Sequence, residues 1–160
     1  MTTLLSKYDK DQLTKAIGFE LYASMLYKDI ANKLQKIGYF GAQKHFLHES
    51  EEELEHYQRF ADFCNDRLDV AQIPAIPAMS ADVFSLQSAF EIALKTEKEL
   101  GEFYEEFSNE TDCAFVCQFL LQFLEIQRTS VGAYADILAR IELCGGDKAA
   151  LLMIDHEFRS

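Results

Sequence analysis

The chain has 160 residues, 49% of them apolar, and 27 acidic against 15 basic side chains give it a net charge of −12. That length fits one domain with a full core and no need of disulfides or structural metal. The charge works against binding nucleic acid or an anionic membrane surface, whereas metal cations are natural partners of surplus carboxylates.

Only two prolines and seven glycines punctuate a sequence rich in helix formers, which predicts an all-α fold. Residues 1–11 show no basic start followed by an apolar run, and no later stretch is apolar for long enough to span a bilayer. The expected location is cytoplasmic.

Leu13, Ile17, Leu21, Ser24, Tyr27, Ala31 and Leu34 recur at three-to-four spacing and predict a first helix over 10–37, with Asp9 or Asp11 as its cap. Gly38 and Gly41 mark a tight corner, and Ala42, Phe46, Phe60 and Phe63 carry a second helix over 40–67. Between Leu68 and Phe84 lie both prolines, Pro74 and Pro77, and no helical period. A connection of that length predicts that the second and third helices are parallel and that the chain travels the length of a four-helix bundle between them.

Phe90, Leu94, Leu100, Tyr104 and Phe107 predict a third helix over 85–108, followed by a polar break at 109–112. Val116, Leu120, Phe123, Leu124, Tyr134 and Leu138 predict a fourth over 113–144, stopped by Gly145 and Gly146, and a short fifth helix over 148–158 begins at Asp147. Cys64, Cys113, Cys117 and Cys144 are irregularly spaced; Cys113 and Cys117 lie one turn apart without a second pair for zinc, so reduced and mostly buried thiols are expected.

Each long helix carries a polar residue inside its apolar stripe, where leucine would be expected. Glu20 follows Leu13 by seven and precedes Tyr27 by seven; Glu53 and His56, at i and i+3, lie between Phe46 and Phe60; Glu97 and Gln127 occupy the same depth in the third and fourth helices. A dry core does not tolerate three carboxylates without compensating charge, and these stripes hold no Lys or Arg. A pair of iron ions supplies that charge, with carboxylates to bind and bridge them and His56 as a nitrogen ligand.

Glu20-Leu-Tyr-Ala-Ser with Tyr27 one heptad on, Glu52-Glu53-Leu-Glu-His56, Thr96-Glu97-Lys and Phe123-Leu-Glu-Ile-Gln127 together resemble a non-haem ferritin of bacterial type with an H-type two-iron centre. The resemblance covers nearly the whole chain, down to Met153-Ile-Asp in the short last helix, and implies one ferritin-like domain over 1–160. It implies that Glu20, Glu53 and His56 hold a first iron, that Glu53 bridges to a second held mainly by Glu97, and that Gln127 is a weak or outer ligand. Tyr27 matches the tyrosine beside that site, where it hydrogen-bonds a ligand or donates an electron, or else is a packed aromatic. Glu52 either guides iron or belongs to a solvated helix face.

The implied activity is that of a ferroxidase: Fe(II) oxidised by O2 or H2O2 and stored as ferric mineral in a homo-oligomeric cage of 24 subunits. Several positions depart from the wider pattern. Gln127-Arg-Thr-Ser130 replaces a second Glu-x-x-His, which argues against a bacterioferritin-type site, and Leu54 stands where a haem-binding methionine would, so no haem is expected. Thr129 and Ser130 replace acidic residues of a third iron site, and Cys117 and Leu120 replace those of a three-fold channel. The alternative is a redox enzyme that retains two irons, a rubrerythrin-like peroxidase, but the cysteine pairs of a rubredoxin domain are absent from the sequence.

Overall fold

The computed structural model describes residues 1–159, and among them the chain forms five α-helices and no strand: α1 Lys7–Ile37, α2 Phe40–Asp66, α3 Leu86–Glu110, α4 Ala114–Leu143 and α5 Lys148–Glu157. Packing α1 along α2 and α3 along α4 gives the expected four-helix bundle, with α5 appended. No helix among the described residues is long and apolar enough to cross a membrane.

The helix ends show what the sequence did to stop and start them. Ser6 caps α1, its Oγ accepting from Asp9 N at 3.0 Å, where Asp9 or Asp11 was expected. Asp9 is occupied elsewhere: its carboxylate accepts from Thr111 Oγ1 at 2.6 Å and ties the start of α1 to the α3–α4 turn. Gly38 closes α1 in the left-handed region at φ 96°, and its N–H returns to Leu34 and Gln35 carbonyls. Ser85 and Ser88 form a reciprocal capping box at the start of α3, which continues through 109 and 110 instead of breaking there. Asp147 caps α5 through Ala150 N at 2.9 Å.

The crossover between α2 and α3 can be followed along α1. Asp69 meets Thr3 at 2.6 Å and Lys10 at 3.2 Å, Pro74 lies against Gly18, and Ala81 N donates to Asp29 at 2.7 Å. These contacts advance from residue 10 to residue 29 of one helix, about 28 Å at 1.5 Å per residue. The connection therefore runs from one end of the bundle to the other, which makes α2 and α3 parallel. A methyl group on Gly18 would stand 2.7 Å from Pro74 Cγ, so the small residue lets the crossover lie flat.

Phe46, Glu53 and Phe60 on α2 are spaced by sevens, and so are Phe90, Glu97 and Tyr104 on α3. One aromatic layer, Phe46, Phe90 and Tyr134, and another, Phe60, Tyr104 and Phe123, therefore flank the polar positions along the bundle axis. In the second layer Phe60 and Phe123 stack with centroids 4.4 Å apart. Of the four free cysteines only Cys64 is buried, and burial with the nearby Asp69 pushes its thiol up to about 11. Cys113, Cys117 and Cys144 are partly exposed because they sit at the ends of α4, not along its core stripe.

Candidate metal centre

Between those two layers the bundle buries Glu20 from α1, Glu53 and His56 from α2, Glu97 from α3 and Gln127 from α4. Helical periodicity places them there, since each shares a face with the apolar residues one or two turns away. Glu20, Glu53 and His56 each offer a ligand atom within 4.8 Å of the others. His56 Nδ1 lies 3.5 Å from Glu20 Oε2 and 3.3 Å from Glu53 Oε2. Glu97 is outside this trio and is held by its own partners.

Those partners are Tyr27 and Gln127. The Tyr27 hydroxyl donates to Glu97 Oε1, while the Gln127 amide nitrogen, in the orientation that satisfies it, donates to Glu97 Oε2 and at 3.1 Å to the Glu97 carbonyl. On the opposite side the Tyr104 hydroxyl donates to Glu20 Oε1. Sequence reasoning placed Tyr104 in the apolar stripe and missed this contact, although the spacing held a signal. Glu20 to Tyr27 and Glu97 to Tyr104 are both seven residues, and each tyrosine bonds the other helix's glutamate.

Electrostatics in this pocket are governed by burial. It pushes Glu53 well above the usual carboxylate range, helped by the neighbouring Glu20 charge. Burial also acts on Glu20, but its polar neighbours Glu53 and His56 and the Tyr104 hydroxyl outweigh it and hold that carboxyl low. Of the two, Glu53 is therefore the carboxyl that keeps a proton and Glu20 the one that stays ionised. Glu97 is raised to about 7 by burial, against the hydrogen bond from Tyr27 and with the Glu20 and Glu49 charges. Burial keeps both tyrosines protonated, and so donating, far above their ordinary range.

Two features fit a metal cation. Glu20 Oε2 is fully buried and has no hydrogen-bond partner, an arrangement that costs several kcal/mol unless something occupies it. No Lys or Arg reaches the cluster among the described ion pairs, so the carboxylates are balanced by protons or by a bound cation. Mixed carboxylate and imidazole donors suit iron, zinc or manganese.

Glu52, the other acidic neighbour named from the sequence, is partly exposed and pairs with His48 at 3.5 Å. Thr129 caps back onto the Glu125 carbonyl at 2.9 Å. Glu49, one turn before Glu53, was not singled out in the sequence; it is partly buried and faces Tyr134 and His45.

A family profile described as ferritin-like domain matches residues 10–144. The chain is 26% identical over 157 residues to the bacterial non-heme ferritin of Staphylococcus saprophyticus, covering 96% of this chain and 94% of that one. It is 25% identical over 158 residues to a probable bacterial non-heme ferritin-like protein of Haemophilus influenzae, covering 96% and 95%. Among solved structures, an open pore ferritin from the hyperthermophilic archaeon Archaeoglobus fulgidus superposes with a TM-score of 0.91 at 26% identity, covering 96% of this chain and 97% of that one.

Proposed function

The chain belongs to the ferritin family as a non-haem ferritin, and from that premise we propose that it is a ferroxidase subunit, oxidising Fe(II) inside the bundle and storing the product as ferric mineral. The observation that carries this reading is the orphaned Glu20 Oε2, buried between Glu53 and His56 with no protein cation to meet it.

Glu20, Glu53 and His56 are the ligands of a first iron, Glu53 bridges toward a second, and Glu97 is that second iron's principal ligand. Gln127 and Tyr27 hold Glu97 in place from its two oxygens. In the metal-free protein Glu53 carries a proton, and taking up Fe(II) displaces it. Two Fe(II) then lose two electrons, which with two protons reduce O2 to H2O2, or reduce H2O2 to two waters. The protein contributes a closed, water-poor pocket and fixed acceptors, which favour the more highly charged product.

Iron is therefore substrate more than resident cofactor. Twenty-four such subunits form the cage, in the cytoplasm, and neither haem nor nucleic acid takes part. The test is anaerobic Fe(II) titration of metal-free protein followed by O2, comparing wild type with Glu53→Ala. Two irons per subunit, fast oxidation and loss of both in the variant support the reading. Equal oxidation in the variant would defeat it, and two irons retained through turnover would make the chain a two-iron redox enzyme.

A further inference from the structure

Among the described residues three tyrosines are buried, and their hydroxyls are used differently. Tyr27 donates to Glu97, Tyr104 donates to Glu20, and the Tyr134 hydroxyl lies 3.5 Å from His45 Nε2. Of these bonds only that of Tyr104 reaches the trio of Glu20, Glu53 and His56, because Glu97 stands outside it. Glu20 is also divided between its two oxygens: Oε1 accepts from Tyr104, while Oε2 has no partner and stands 3.5 Å from His56 Nδ1. One carboxylate thus joins a phenol to the place of the first ion. Glu97 has no such free oxygen, since Gln127 donates to the one that Tyr27 leaves.

The difference matters when the centre is half filled. Resting on the reading of a buried two-iron centre, we propose that Tyr104 is an electron donor that completes the reduction of H2O2 when only the first iron is bound. A lone Fe(II) gives one electron, and peroxide that receives one electron splits into hydroxide and a hydroxyl radical. With Tyr104 the step closes on water: H2O2, Fe(II), the phenol and one proton give Fe(III), a neutral phenoxyl radical and two waters. The O–O bond breaks, and the iron and the phenol are each oxidised by one electron. The phenolic proton leaves along its existing hydrogen bond to Glu20 Oε1 and, with one proton from solvent, ends in the two waters. The next Fe(II) restores the phenol with one electron and a further solvent proton.

The surroundings keep such a radical where it forms. The Tyr104 ring is buried against Phe60, Phe103 and Phe123, with centroids 5.8, 5.6 and 5.6 Å away, and phenyl rings are far harder to oxidise than a phenol. The chain has no tryptophan to draw the electron vacancy away. Burial also shuts out the solvent that would quench the radical. Because the proton acceptor is in place before any oxidant arrives, electron and proton leave together without rearrangement of the pocket.

The test mixes H2O2 with anaerobic protein carrying one Fe(II) per subunit, concentrated enough to keep the ion bound, as wild type, Tyr104→Phe, Tyr27→Phe and Tyr134→Phe. Freeze-quench electron paramagnetic resonance reads the phenoxyl radical, identified by ring-deuterated tyrosine, and a spin trap reads hydroxyl radical. The expected result is a phenoxyl signal in wild type that survives in Tyr27→Phe and Tyr134→Phe. In Tyr104→Phe it is lost, and trapped hydroxyl radical rises in its place. A signal kept in Tyr104→Phe overturns the role of Tyr104 and leaves the centre standing, as does peroxide consumed by wild type without any phenoxyl radical. Loss of the signal in Tyr27→Phe makes Tyr27 the donor, and decides against Tyr104 even where Tyr104→Phe does not fold. Failure of the wild type to bind Fe(II) overturns the centre and the donor together.

Discussion

Tyr104 donates its hydroxyl to Oε1 of Glu20 and leaves Oε2 without a partner, although the whole side chain is buried. The bond decides which oxygen remains free, and the free one points toward His56 Nδ1 at 3.5 Å. Replacing Tyr104 with Phe keeps the ring packed against Phe60 and Phe123 but releases the carboxylate to rotate. We expect the first metal ion to bind about tenfold more weakly, a difference of about 1.4 kcal/mol, with the helical content unchanged. Anaerobic calorimetric titration measures it, and equal first-site affinity would remove the positioning role.

The all-α fold and the long crossover were legible because helical period, glycine stops and paired prolines are local signals. The inward glutamates were legible for the same reason: a charged residue seven from a buried aromatic interrupts a pattern. Tyr104 and Glu49 were not. A tyrosine in an apolar stripe looks the same whether its hydroxyl is used or not, and Glu49 sits in a run of acidic residues whose individual facing depends on packing against α4. The cap of α1 was missed because Asp9 competes as a capping residue locally but is claimed by Thr111, which is 102 residues away.

Glu97 should contribute less to the stability of the metal-free protein as pH rises from about 4.5 through about 7. Glu97 is raised in the folded state to about 7, so folding favours its protonated form; that contribution is complete below the unfolded value and disappears as pH passes the folded one. Two and a half units correspond to at most about 3 kcal/mol. Glu53, also raised, acts in the same direction, whereas His45, lowered to about 4, adds stability as pH rises toward its unfolded value, and Glu20 acts below this window, so the Glu97 part is read by difference. Thermal unfolding from pH 5 to 8 should show wild type losing stability relative to Glu97→Gln as pH rises. Parallel curves would show that Glu97 is not the titrating group.

Asp155 anchors the last helix. Its carboxylate accepts from Gly41 N at 3.0 Å and Ala42 N at 2.7 Å, satisfying two orphan donors of the first turn of α2 from a residue of α5. Gly41 is required there because a Cβ would stand 1.9 Å from the Asp155 carbonyl oxygen. Asp155→Ala is expected to cost about 1 to 2 kcal/mol and lower the melting temperature by about 3 to 6 °C, with Asp155→Asn losing less. An unchanged midpoint in Asp155→Ala would mean that water replaces the cap at no cost.

Glu53 separates folding from metal binding. In the metal-free protein its raised carboxyl is protonated, and a glutamine amide is the same size and likewise uncharged. Glu53→Gln should therefore leave the metal-free melting temperature at pH 7 equal or slightly higher, since the amide stays neutral without holding a proton away from water. The same change removes the bridging carboxylate. Saturating Fe(II) under anaerobic conditions stabilises a site by about 2.7 kcal/mol at a hundred times its dissociation constant, so wild type should gain about 5 °C or more. In Glu53→Gln that gain should vanish while the baseline holds. A variant that melts early without metal would show that the ionised carboxylate is needed for folding, and one that keeps the metal-induced shift would remove Glu53 from the ligand set.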